Sequence, residues 1–588
     1  MNNPVSPKEF HLKSGKSILS YVQQFSSTER VVFGALVVIA GVSALLMAGN
    51  VNSLFTVEVP GYGGEIREGV IGLPRTINPI LAITDVDRDM SALIYSGLMK
   101  YSGNDLVPDL AKSYKISDDG LTYTFVLREN LRFHDGESLT AEDIAFTVQK
   151  IQDPALKSPR RADWLNIVAT VVSPTEIKFT LKQPYSPFLT NTTVGIIPKH
   201  IWNNVSNEQF IFSQFNIEPI GSGLFIKDVM TRDAGGIPTT YRLSAWKDYY
   251  GKSAHVNNIT FYFFADADKA LLALDNGEID SIASVSSSQA KKLATDSAQA
   301  YEVLSAPLPR IFGVFFNQNQ SPVLADKVVR QALNMSVDRS AIVNAILNDY
   351  GIVIDGPLPS LNGLIKTAVS TTTSTTTSNF NITAARALLE KNGWVKNSIT
   401  GIYEKKNTKN VVQTLAFDIY TADTADLKQA AEMIRSSWNS LGAQVNIKVF
   451  ESSDLYQNII RTRKYDALLF GELVGKDHDV YAFWHSSQRN SPGLNVAMYT
   501  NSKVDKLLED IRSINDTDSR TAKYIELNKL INTDIPAIFI YSPNFIYVTP
   551  KTLRGINIYN ITTPSDRFNS VENWYVNTEK VWKIFSNN

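Results

Sequence analysis

Residues 131–148 read LRFHDGESLTAEDIAFTV, and the second half of this stretch specifies a helix start. Thr140-Ala-Glu-Asp143 resembles a capping box with aspartate at the third helical position. Ile144, Val148 and Ile151 then recur at helical spacing. Upstream, the turn Ser117-Asp-Asp-Gly120 leads into an alternating segment at 121–128, LTYTFVLR, which reads as a strand. Downstream, 175–181 (TEIKFTL) alternates in the same way. A helix set between strands this close together begins an α/β pattern.

The pattern continues along the chain. Residues 269–276 read as a short helix stopped by Gly277, and 310–317 (RIFGVFFN) as a buried strand. Val328, Val329, Ala332 and Leu333 mark a helix, and Asp338 is placed to cap the next one. Residues 385–391 and 427–441 are expected helices, 444–450 (QVNIKVF) a strand, and 465–470 (YDALLF) a buried strand. Residues 370–378, STTTSTTTS, read as an exposed loop.

At 588 residues the chain exceeds one ordinary core, so two or more lobes are expected. Its formal net charge of -1 argues against a nucleic-acid partner. The chain has no cysteine, which excludes disulfides, thiolate nucleophiles and Cys-based metal sites. From Val31 the sequence runs VVFGALVVIAGVSALLMA, and no charge follows until Glu58. That length suits a membrane span. Lys8, Lys13, Lys16 and Arg30 precede it against Glu9 and Glu29, which favours the N-terminus inside and the bulk of the chain outside. The alternative is a cleaved signal peptide ending near Ala48; the long leader and Leu46 favour an uncleaved anchor. The expected organisation is a cytoplasmic segment 1–30, an anchor 31–50 and a tether 51–63 around Pro60.

Catalytic signatures are missing. The Gly-Lys-Ser runs at Gly15 and Gly251 lack the upstream glycine of a P-loop, and neither a nucleophile elbow nor a His-Glu-x-x-His helix occurs. The densest polar stretch is 475–488, GKDHDVYAFWHSSQ. In an extended segment Asp477 and Asp479 share a face while His478 points away, so spacing guarantees two metal ligands at most. Recognition is the other reading, with a shielded carboxylate attracting an ammonium group and aromatics covering a ligand. For Phe483 and Trp484, core and pocket stay equally open.

The stretch at 131–148 also resembles the signature segment of the family 5 extracellular solute-binding proteins, the oligopeptide- and dipeptide-binding components of ABC importers. Further matches follow in the family's order: PIGSGLF at 219–225, LALDNGEID at 272–280, and Phe316-Asn317 with VVRQALN at 328–334. AARALL at 384–389, GAQVNI at 442–447 and YTNSKVD at 499–505 complete them. The resemblance implies two α/β lobes of the large peptide-binder class, closing like a hinged clam behind the transmembrane helix. It places lobe I at 64–307, lobe II at 308–538 and a return to lobe I at 539–588, with crossings near 306–311 and 537–541.

It also implies a peptide ligand, a permease pair with cytoplasmic ATPases as partners, a monomer, and no catalytic residue, metal or cofactor. The stretch at 475–488 resembles the family's strand-to-loop segment, in which an aspartate pairs with the ligand's α-amino group. By motif position Asp477 matches best and Asp479 second, with Tyr481 and Trp484 lining the site. This chain departs in carrying His478 and Val480 where prolines are common, and Glu472 where many peptide binders carry tryptophan. Rival ligands on the same fold are nickel chelates and oligosaccharides; a surface hydrolase or a sensor ectodomain are rivals of other classes.

Overall fold

One strand organises both lobes. In the computed structural model, Ala537–Pro550 is a continuous fourteen-residue strand, about 46 Å long at the usual rise. The residues described are 25–103, 105–283, 285–358, 380–407, 410–475, 478–514, 516–558 and 561–585. The Ser/Thr run at 370–378 lies outside them, as does Asp477.

The first half of the long strand pairs antiparallel with Arg310–Phe316, with Phe315 opposite Ala537 and Phe312 opposite Tyr541. Its second half pairs with Tyr301–Pro307, from Pro307 opposite Asn544 to Tyr301 opposite Pro550. The chain therefore passes between the lobes twice side by side, through Leu308-Pro309 and through Ser542-Pro543. Leu308 N–H donates to the Pro543 carbonyl at 3.0 Å, and Ser542 Oγ donates to the Leu308 carbonyl. Bonds between the crossings leave bending across the pair as the soft motion, the geometry of a hinge.

On the lobe II side the sheet continues through Arg310–Phe316, Ala467–Leu473, Ala416–Ala422 and Gln444–Phe450. The last two pairings are parallel, and a helix connects Ala416–Ala422 to Gln444–Phe450. The helix Ala425–Leu441 shows why. Leu427, Ala430, Ala431, Ile434, Trp438 and Leu441 all fall on its buried face, and Gly442 ends it at φ +117°, where a side chain would be strained. On the lobe I side the order is Ser281–Ala283, Glu65–Ile71, Asn258–Phe264, Pro238–Ala245 and Phe225–Arg232. Each side has its own core, one around Phe316, Trp438 and Trp484 and the other around Phe125, Trp202 and Trp574.

The stretch 131–148 behaves as a clasp in lobe I. Thr140 caps the helix Ala141–Gln152, and Asp143 returns a hydrogen bond to the Thr140 N–H at 2.9 Å. Asp143 also accepts from Lys199 N–H at 2.9 Å, tying the helix start to the next segment. His134 is held by the Gly221–Gly223 turn: its backbone N–H donates to the Gly221 carbonyl at 2.8 Å, and Gly221 N–H donates to Nδ1 at 3.3 Å. Burial lowers the imidazole pKa to about 4, keeping it neutral. Gly221 is required because a Cβ there would stand 2.0 Å from the Ile94 carbonyl oxygen. Two motifs distant in sequence thus form one piece of lobe I.

The described residues 25–61 and 577–585 form a separate compact unit. The helix Ser27–Phe55 runs into the strand Thr56–Pro60, which pairs antiparallel with Thr578–Trp582. Among the described residues this is the one helix long and apolar enough to cross a membrane; the window Ser27–Ala44 is unburied. The segment 51–63, expected to be a tether, contains the end of this helix and the strand Thr56–Pro60. The alternation of Val57 and Val59 is completed by a strand partner far downstream, which no local reading of the Gly- and Pro-rich stretch reveals. Within the segment expected to return to lobe I, Thr578–Trp582 is the second strand of this ribbon.

Candidate ligand cleft

The loop that follows Ala467–Leu473 carries the residues expected to bind ligand, and the structure sorts them. Val480 and Trp484 lie one helical turn apart on the inward face of the short helix Tyr481–Trp484. Trp484 is fully buried, with its ring 5.7 Å from that of Phe539 and 6.1 Å from that of Phe315. The expectation that it lines a site is therefore corrected: it plugs the lobe II core. Glu472 is buried too, and among the described residues neither carboxylate oxygen finds a hydrogen-bond partner. Burial raises its pKa well above the ordinary carboxyl value, favouring the protonated form inside lobe II.

Tyr481 stands one layer back from the cleft. Its ring lies between the His485 imidazole at 4.2 Å and the Arg512 guanidinium at 3.8 Å. Asp479 does reach the cleft, but its charge is already answered. Arg512 Nε and Nη2 donate to Asp479 Oδ2 at 2.9 and 2.7 Å, and Asp479 Oδ1 accepts from the Tyr481 N–H at 3.1 Å. Asp479 thus braces the turn before the short helix and fixes the arginine.

Asp479 and Gly475 form the lobe II wall of a cavity of about 510 Å3 whose other walls belong to lobe I. That volume is in the range of small-molecule sites, roughly 300–1,000 Å3. Lobe I contributes Arg88 from the helix Asp85–Ile94, Arg160 and Asp163 near the helix Arg161–Trp164, and Asn191. Asp566 and Asn569 come from the helical segment Pro564–Asn573. Burial raises the Asp163 pKa, Arg160 lowers it, and Asp479 across the cleft raises it further. Carboxylates from the two lobes therefore feel each other through the cavity.

Farther along, Lys100 also lines the cavity and lies 3.5 Å from Glu572 and 3.9 Å from Asp109. Burial pushes the Asp109 carboxyl up to about 6, with Lys100 as the main opposing influence. Burial acts against the Lys100 ammonium, but the two carboxylates outweigh it and raise its pKa. Tyr95 adds a hydroxyl that is buried at the wall with no hydrogen-bond partner among the described residues. The cavity thus offers both signs of charge and a spare polar group.

Across the mouth the lobes touch. Ser186 N–H donates to the Arg512 carbonyl at 2.8 Å, and Arg520 Nη1 donates to Ser186 Oγ at 3.0 Å. The segment Pro564–Asn573 is held in place from below by Arg567, which is fully buried. Arg567 donates to both Asp89 oxygens at 3.0 and 2.6 Å and to Glu68 at 2.9 Å. Tyr547 and Ser281 complete Glu68. Lobe I residues such as Arg88, Asp163 and Asp566 were not singled out from sequence. They come from separate segments, and only the fold makes them neighbours.

Comparison with known proteins agrees with this architecture. The profile of the bacterial extracellular solute-binding proteins, family 5 Middle, matches residues 105–493. The oligopeptide-binding protein AppA of Bacillus subtilis is 27% identical over 532 residues, 88% of this chain and 92% of that one. The ABC transporter substrate binding protein CtaP of Listeria monocytogenes superimposes with a TM-score of 0.72 at 27% identity, over 87% of this chain and 99% of its own. NikZ of Campylobacter jejuni, solved with Ni(L-His), gives 0.67 at 26% identity, over 87% and 99%. The chain belongs to the family 5 bacterial extracellular solute-binding proteins, a two-lobed α/β family.

Proposed function

We propose that this chain captures peptides in the cleft between its lobes and presents them to the permease of an ABC importer, held at the membrane by the helix Ser27–Phe55. The observation that carries the peptide reading is the cavity's charge pattern: Asp163 and Asp566 stand on walls that also carry Arg88 and Arg160. A peptide brings an ammonium at one end and a carboxylate at the other, and a half-buried site binds each far better when a counter-charge is waiting. The relation to an oligopeptide-binding protein supports the same reading. By motif position Asp477 is the first candidate for the ammonium partner. Asp479 is the second, and its ion pair with Arg512 makes it a support for the loop.

Closure follows from the hinge. A ligand that touches both walls binds the closed form better than the open one, and only that difference shifts the lobes. An apolar helix at the membrane keeps the binder near its permease and raises its effective concentration there.

The first test is mass spectrometry and metal analysis of whatever co-purifies with the protein. Short peptides without stoichiometric nickel support the proposal. A nickel–amino-acid complex, the ligand present in the NikZ structure, would replace it. Asp477→Asn, at the motif position, and Asp163→Asn, on the lobe I wall of the cavity, are then compared by their effect on affinity.

A further inference from the structure

Phe55 is the last residue of the helix Ser27–Phe55, and its ring stacks on Trp582 with centroids 6.4 Å apart and 19° between planes. The strand register causes this contact. Thr56, the first residue past the helix, is paired directly with Trp582. A 3-10 turn, Lys583–Phe585, follows. Phe55, Trp582, Ile584 and Phe585 are 54, 52, 77 and 68% exposed. Phe55 and Trp582 thus stack at the end of the helix, and Ile584 and Phe585 follow within three residues of Trp582, all four more than half exposed. Within the ribbon Lys580 is paired with Glu58, farther from the helix than Trp582, while Lys583 stands between Trp582 and Ile584.

The helix length places this cluster. No charge occurs between Arg30 and Glu58. The uncharged helical part from Val31 to Phe55 rises about 37 Å at 1.5 Å per residue, against a hydrocarbon layer of about 30 Å. The surplus of roughly 7 Å brings Phe55 to the headgroup layer when the apolar run fills the bilayer. Indole and phenyl rings flanked by lysines are what that layer accommodates best, apolar body inward and polar groups outward.

We propose that Phe55, Trp582, Ile584 and Phe585 form a collar that inserts into the interfacial layer of the bilayer, so that the chain grips the membrane at two separate points of its sequence. The occupant is lipid, because the patch is continuous with the end of the membrane-spanning helix and is rich in aromatic rings. A two-stranded ribbon locked to the surface at this end sets the direction in which the chain leaves the membrane. This inference rests on the proposal that Ser27–Phe55 is an uncleaved membrane anchor.

The absence of cysteine makes the test clean. Ile584→Cys and Phe585→Cys, each in the full chain, carry an environment-sensitive fluorophore, and Ile399→Cys serves as control because Ile399 is 94% exposed. The proteins are reconstituted into phosphatidylcholine–phosphatidylglycerol vesicles free of permease, with and without nitroxide placed high on the acyl chains. The collar requires blue-shifted emission and a loss of about half the intensity at residues 584 and 585, with the control unaffected. Vesicles that carry the protein on flotation while both collar probes stay in water overturn the collar and leave the anchor standing. Equal quenching at the control also overturns it. Protein that fails to float with vesicles overturns both. Shielding that appears only after permease is added assigns the patch to a protein and overturns the lipid reading.

Discussion

Arg512 holds Asp479 through two nitrogens, at 2.9 and 2.7 Å from one carboxylate oxygen, while its own backbone carbonyl accepts the Ser186 N–H of the opposite lobe. One residue therefore sets the loop of lobe II and receives lobe I. The pair is mostly shielded, with side-chain exposures of 27% and 13%. Removing one partner strands the other charge. Arg512→Ala is expected to destabilise lobe II by about 1–3 kcal/mol, read by urea denaturation. Arg512→Lys keeps the charge but loses the fork and the stack on Tyr481, and is expected to fall between the two. A wild-type midpoint for Arg512→Ala would show that the loop stands without the pair.

The fully buried Arg567 answers two acids, Asp89 and Glu68, and fixes the helical segment that carries Asp566 and Asn569. Arg567→Met leaves two carboxylates in a dry core and is expected to cost about 3–5 kcal/mol. Adding Glu68→Gln and Asp89→Asn to Arg567→Met should recover most of that loss, because no charge is then left buried. Failure of the triple variant to recover in chemical denaturation would assign the loss to packing instead of charge.

Asp109 gives a pH signature. Its folded pKa of about 6 lies above the ordinary carboxyl value because burial favours the protonated form. Below pH about 4 both folded and unfolded chains hold this proton, and the group's stabilising contribution is fully present. Between about 4 and 6 the unfolded chain has lost the proton while the folded chain keeps it, so stability falls as pH rises. The wild-type protein should lose about 3 kcal/mol from this group across that window. Asp109→Asn does not titrate, so its stability relative to wild type should improve by that amount between pH 4 and 7. A pH-independent difference in denaturation midpoints would contradict the assignment.

Glu472 obeys the same sign. Its pKa is raised by burial, so its contribution is present at low pH and is lost as pH rises through the folded value. Glu472→Leu removes a carboxyl that has no hydrogen-bond partner among the described residues. It is expected to equal or exceed wild-type stability at neutral pH, with an advantage that widens as pH rises above the ordinary carboxyl range in thermal melts. A loss of more than about 2 kcal/mol would mean that the carboxyl is satisfied.

Much of the fold is legible locally. The Thr140–Asp143 capping box is present in the structure, and Asp338 caps its helix by accepting from the Ala341 N–H at 3.0 Å. The strand 444–450 coincides with Gln444–Phe450. Periodicity and caps act over a few residues, so they survive in the sequence. The cleft is harder to read because it is assembled from remote segments. Trp484 has the chemistry of a ligand platform, and only its contacts with Phe315 and Phe539 show that it serves the core. Asp163 sits in an unremarkable helix turn, and its importance comes from facing Asp479 across a cavity. The ribbon of Thr56–Pro60 with Thr578–Trp582 escaped for the same reason, since pairing between distant residues leaves no local trace.

Isothermal titration calorimetry with a short peptide, run beside the same peptide acetylated at its N-terminus, tests the central claim most directly. A counter-charge waiting in the cleft requires one-to-one binding of the free peptide and a loss of at least about tenfold in affinity on acetylation, or 1.4 kcal/mol. Equal affinity for the two peptides, or no heat with either while a nickel–histidine complex binds, would contradict it.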